Sequence, residues 1–178
     1  MNLNEWSVVV GIVGGAVAAT LALVQAFLNL SQRKKEHRWR QAEMGKKLID
    51  EAWSDPKANS ACLILDGLQT TVESDSGVSF SVSPEVLMNA LDEGSDLTEI
   101  VQLLRDRADI LFFYFGRMEH FVRTGLVTFD DLVSPADYYV ELLATRKPTV
   151  AAYLKSFRFY RARQFLERFE SWATVGAK

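Results

Sequence analysis

Between Trp6 and Gln32 the chain carries no charged residue, and from Val8 to Leu30 it is apolar or small apart from Thr20, Gln25 and Asn29. As a helix rising 1.5 Å per residue, that stretch would reach about 35 Å, enough to cross the hydrocarbon core of a bilayer. A soluble core helix rarely runs so far without a polar face. A cleaved leader is disfavoured because Met1 to Glu5 contain no Lys or Arg. The first 32 residues therefore read as a single N-terminal transmembrane helix.

The flanks orient it. Glu5 is the only charge before the stretch, whereas Arg33, Lys34, Lys35, Arg38 and Arg40 follow at once, with Lys46 and Lys47 beyond. The excess of Lys and Arg places the C-terminal part in the cytosol and Trp6 at the outer interface, with the basic run against anionic headgroups of the inner leaflet.

On a helical wheel Ser7, Gly11, Gly14, Gly15, Ala18, Ala22, Gln25 and Asn29 share a sector about 100° wide. Glycines on one stripe suit close helix–helix approach, and the two amides suit a neighbouring helix or water. Three readings remain: a lipid-facing anchor, helix association without a pore, and a pore wall. Self-association is favoured, and a pore would need several copies around a common axis, because one span cannot enclose a water path.

Residues 33–54 continue as a basic juxtamembrane helix, and residues 55–178 read as a cytosolic helical domain, so the fold class is mainly α with at most one short β-hairpin. Asp55-Pro56 and Ser83-Pro84 are helix starts. Alternation of Val78, Phe80 and Val82 around Ser76-Gly77 suggests a hairpin. Asp96 is expected to cap a long core helix reaching Gly125, with apolar residues from Ile100 to Val122 three or four apart. Thr128 and Ser134-Pro135 are expected to open two separate pieces, and Pro148 a last helix to about Trp172.

The net charge of −3 conceals unlike blocks: residues 50–109 hold thirteen acidic against three basic side chains, and residues 110–178 seven acidic against ten basic. In the last helix Lys155, Arg158, Arg161 and Arg163 alternate with aromatics including Tyr160, a pattern that can hold phosphate and stack on a base. The competing account is internal: these cations neutralise the acidic block while the aromatics fill the core. A lone Cys62 on an apolar helix reads as an inert buried thiol, and His120 beside Glu119 as a surface pair. No phosphate-binding loop, nucleophile elbow or zinc motif is present, so no enzyme, cofactor or metal is expected.

The stretch Trp39 to Trp53, the segment Phe115-Gly116-Arg117-Met118-Glu119-His120 on to Gly125-Leu126-Val127, and the end from Arg146-Lys147-Pro148 to Trp172 resemble small single-span bacterial membrane proteins with a helical cytosolic domain. Proteins of this build include membrane effectors of Hailong-type anti-phage defence. The resemblance implies the bacterial inner membrane, a homo-oligomeric pore that disrupts membrane potential, and gating by a nucleotide or single-stranded oligonucleotide made by a partner nucleotidyltransferase. The alternative is a membrane-anchored scaffold that recruits a cytosolic partner without conducting ions.

Overall fold

The structure, a computed structural model, describes the backbone of residues 3–176 and the side chains of residues 21–174 except at 135 and 147. It divides into two units, residues 1–40 and 41–178. In the first, helix α1 (Leu3–Ser54) begins, and every residue from 21 to 40 is exposed save half-buried Ser31. Among the described residues no helix is long and apolar enough to cross a membrane. The stretch read as a span lies for the most part outside the described side chains. Its described part, Leu21 to Leu30, covers only about 15 Å of helix, roughly half a hydrocarbon core. Ser7, Gly11, Gly14, Gly15 and Ala18 likewise lie outside the described side chains.

The second unit is helical with one hairpin. After the end of α1 come α2 (Pro56–Leu65), β1 (Thr71–Glu73), β2 (Ser79–Ser81), α3 (Pro84–Ala90), α4 (Glu99–Arg123), α5 (Phe129–Ala144), α6 (Lys147–Ser156) and α7 (Tyr160–Gly176). The two strands pair antiparallel with Val72 opposite Phe80.

Local chemistry sets several boundaries. Asp55 caps α2, its Oδ1 accepting from the amides of Lys57 at 2.9 Å and Ala58 at 3.1 Å. Ser83 caps α3 through the amide of Val86, and Pro follows the cap in both helices. Gly125, at φ 71°, takes the left-handed turn after α4 that a side chain would resist.

The core gathers around α4, whose Leu104, Ala108, Leu111, Phe112, Phe115 and Met118 are buried. Phe115 stacks on Phe165 of α7 with centroids 5.3 Å apart, and Phe112 meets Tyr153 of α6 and Phe159. On α1, Leu48, Ile49 and Ala52 are buried, and Gln41 Nε2 donates to the carbonyl of Gly125 at 2.9 Å. At Gly45 the helix passes so close to α5 that a Cβ would stand 3.1 Å from Asp131 Cβ and 3.2 Å from Val127 Cγ1.

Three expectations are corrected. Helix α4 starts at Glu99 after Thr98, not from Asp96, because the amide of Thr98 turns back to the carbonyl of Asp96 at 2.8 Å and holds residues 96–98 outside the helix. The two pieces expected after Thr128 are one helix, α5, running through Pro135; buried Leu132, Val133, Ala136, Val140 and Leu143 on both sides of the proline hold it together. The single last helix is two, α6 and α7, broken at residues 157–159. The break is local to the backbone: Arg158 takes a left-handed conformation, φ 61°, which a right-handed helix cannot continue through.

Candidate anion-binding cleft

The break creates a site. At the end of α6 the amide of Arg158 donates to the carbonyl of Lys155 at 3.3 Å and that of Phe159 to the carbonyl of Leu154 at 2.8 Å, the paired bonds of a Schellman turn. The left-handed residue of that turn is usually glycine; here it is Arg158, at φ 61°. Arg158 is the only non-glycine residue with positive φ among those described.

Arg158, Tyr160 and Arg161 meet in a cleft of about 400 Å³ against the middle of α4. Phe113, Gly116, Arg117 and His120 supply the facing wall, spaced three or four apart and so on one side of their helix. Helix α7 passes beside Gly116, where a Cβ would stand 3.6 Å from Arg161 Cβ, in ordinary contact. Phe113 and Tyr160 are 54 % and 55 % exposed, so two aromatic faces remain open beside the cations.

No lining residue of this cleft is acidic, in a chain with net charge −3. Arg158 and Arg161 have no ion pair among the described residues. Arg117 lies 5.6 Å from the Tyr114 ring centroid and bonds Glu51 of α1, Nη2 to Oε2 at 2.9 Å. Both partners are about one-third exposed, so the pair contributes under about 1 kcal/mol. Beside it, the Tyr114 hydroxyl reaches Asp55 Oδ2 at 3.4 Å, and burial together with the Asp55 charge pushes its phenol up. Such an arrangement offers charge-assisted hydrogen bonds to an anion and flat surfaces to a ring.

The other candidates lie elsewhere. Lys155 is exposed on the last turn of α6 and does not line the cleft. Arg163 faces a separate cavity with Leu143 and Leu154, its Nε 3.3 Å from Glu167 Oε1 one turn on. The five are thus not one helical face: the corner at residues 157–159 parts Lys155 from the cleft, and Arg163, about 200° round α7 from Arg161, faces the other way. Ala22, Gln25 and Asn29 are exposed on α1, as are Arg33, Lys34, Lys35, Arg38 and Arg40.

Neutralisation of the acidic block follows a different route from the one expected. From residues 110–178, Arg117 reaches Glu51 and Arg146 reaches Glu85 at 3.9 Å; elsewhere uncharged hydroxyls bond the carboxylates without cancelling their charge. Tyr153 donates to Asp109 Oδ1 at 2.8 Å, Tyr138 to Asp66, and Ser156 to Glu93. Burial pushes the Asp109 carboxyl up, and the Tyr153 bond partly offsets it.

Sequence reasoning missed Glu119, which is buried and bonded by Arg168 rather than paired with His120 at the surface. It also missed the α4 wall of the cleft; a glycine in the middle of a long core helix was the available signal. Cys62 is buried, and burial pushes its thiol up to about 12. Among the described residues no group of His, Cys, Asp and Glu could hold a metal ion. No family model matches the chain, and no curated protein or solved structure matches it.

Proposed function

We propose that the chain is an oligomeric membrane effector, with its N-terminal helix seated in the bacterial inner membrane and its helical domain at the cytosolic face, where a nucleotide-like anion controls a pore. One observation carries the membrane part. From residue 21 to 30 α1 is exposed throughout, with Leu23 at 72 % and Phe27 at 73 %. At 100° per residue, Leu21, Leu23, Val24, Phe27, Leu28 and Leu30 spread over about half the circumference, and Ala22, Gln25, Ala26 and Asn29 occupy the rest.

An apolar half of this size is unfavourable in water and suits lipid tails. The small and amide-bearing half suits a neighbouring copy or a water-lined axis. The exposed basic residues that follow suit anionic headgroups. The resemblance to small defence effectors supports the pore, and the acid-free cleft supports control by an anion.

Ion flux from liposomes holding the purified full chain tests the reading. Leak that responds to added nucleotide is expected. Tight vesicles containing intact oligomer overturn the pore and leave the scaffold that recruits a cytosolic partner. Gly11→Ile with Gly15→Ile should reduce the assembly seen by mass photometry in detergent, since branched side chains block close backbone approach. An unchanged mass removes the glycine stripe as the interface.

A further inference from the structure

The cleft and the grip on α1 share a side chain. Arg117 lines the cleft with Arg158 and Arg161, and through Nη2 it also holds Glu51 on the last turns of α1. We infer that the cleft takes a small phosphate ester bearing an aromatic ring, and that its phosphate draws Arg117 away from Glu51, loosening the end of α1 from the helical domain. The inference rests on the ligand-controlled reading above and gives that control a site and a route.

The chemistry of the ligand follows from the walls. Arginine forks match phosphate oxygens, and here three arginines and His120 line a space from which carboxylates are absent. Phe113 and Tyr160 add exposed ring faces on which a flat heterocycle stacks. The volume, about 400 Å³, falls among those of small-molecule sites. Arg158 is held at this edge in a backbone conformation that glycine would adopt without strain, and strain retained beside a cleft is a mark of use.

The route follows from what holds α1. Beyond its buried Leu48, Ile49 and Ala52, the helix end is tied to α4 by Glu51 to Arg117, with Asp55 reaching the neighbouring Tyr114. The Glu51 bond is single and solvent-exposed, whereas a phosphate presents a higher charge and several acceptors to the same guanidinium. Ligand and Glu51 therefore compete. The helix they compete over is the one whose earlier turns carry the exposed apolar residues 21–30.

The test uses the full chain in nanodiscs of neutral phosphatidylcholine, with ATP as the probe, equilibrium binding as one readout and hydrogen exchange of residues 45–54 as the other. Wild type should bind ATP and exchange faster over that segment when it does. Arg161→Glu should weaken binding by more than tenfold, and Arg158→Gly by about tenfold while keeping or raising the melting temperature, so that the loss cannot be misfolding. Glu51→Gln should tighten binding by about threefold and raise exchange before ATP is added, because Arg117 is already released.

No ATP binding at millimolar concentration overturns the site. Unchanged or weaker binding in Glu51→Gln, or unchanged exchange on saturation, overturns the competition. Equal affinity for inorganic pyrophosphate overturns the aromatic component, and loss of ATP binding in phosphatidylglycerol nanodiscs assigns the cleft to a lipid headgroup instead. Liposome flux separates this inference from the reading beneath it: flux without binding overturns the cleft, and binding without flux overturns the pore.

Discussion

Arg168 closes over Glu119 with two parallel hydrogen bonds, Nε to Oε2 at 3.0 Å and Nη2 to Oε1 at 2.7 Å, while the Glu119 residue is only 1 % exposed. The arginine side chain keeps an outer face in solvent and lies over the Phe129 ring, so it joins α4, α5 and α7 at one point. Arg168→Ala leaves a buried carboxylate with neither countercharge nor donor and should lower stability by about 3 kcal/mol. Replacing both partners, Glu119→Leu with Arg168→Met, removes the stranded charge and should recover most of that loss. Urea unfolding of the set checks this; a loss under about 1 kcal/mol for Arg168→Ala would make the pair an ordinary surface bridge.

Two helix glycines should respond to alanine with opposite signs. At Gly116 a Cβ meets only ordinary contact, so Gly116→Ala should raise stability by about 1 kcal/mol through helix propensity. At Gly45 the Cβ would press at 3.1 Å on Asp131 Cβ, an atom fixed to the α5 backbone, and at 3.2 Å on buried Val127. Overpacking there should outweigh propensity and cost about 1–2 kcal/mol. Thermal melts of the two variants, read side by side, decide whether α1 is seated against the α4–α5 turn as described.

Arg158→Gly should stabilise the fold by about 1 kcal/mol, because glycine meets no Cβ penalty at φ 61°. Differential scanning calorimetry reads the change. A lower melting temperature would mean that the arginine side chain stabilises the corner more than its backbone strains it.

Alkaline solution should weaken the fold. Burial lifts the Cys62 thiol from 9.0 to about 12, and burial together with the Asp109 bond lifts the Tyr153 phenol. The folded state then keeps protons that the unfolded chain gives up, so stability is unaffected below about pH 9 and falls above it, by about 1.4 kcal/mol per pH unit from the thiol alone. Between about pH 8 and pH 10.5 the wild type should lose about 2 kcal/mol more than Cys62→Ala. Equal losses in urea titrations would show that the thiol ionises in place.

The sequence was legible where punctuation is local. Asp55-Pro56 and Ser83-Pro84 announce α2 and α3, Ser76-Gly77 announces the hairpin turn, and spacing from Ile100 to Val122 announces α4. The corner at Arg158 was hidden, because Phe157, Arg158 and Phe159 contain neither glycine nor proline and an arginine takes the left-handed position that glycine usually fills. Pro135 misled in the other direction, since buried neighbours on both sides carry α5 past it. Half of the cleft, Arg158 with Tyr160 and Arg161, was visible as basic and aromatic residues in alternation. The facing half depends on α4 meeting the α6–α7 corner, a long-range contact that no window of sequence contains. Burial of Glu119 was hidden for the same reason, its partner Arg168 lying on another helix.

The single buried cysteine also makes the chain convenient to instrument. With its thiol lifted to about 12 and enclosed among apolar neighbours, Cys62 presents almost no thiolate near neutrality. Maleimide dyes or spin labels should therefore react with a cysteine introduced on an exposed helix turn and pass over the native one. Distances between a label near residue 43 and another on α4 could be followed in the wild-type background, without first removing a residue that fills the core.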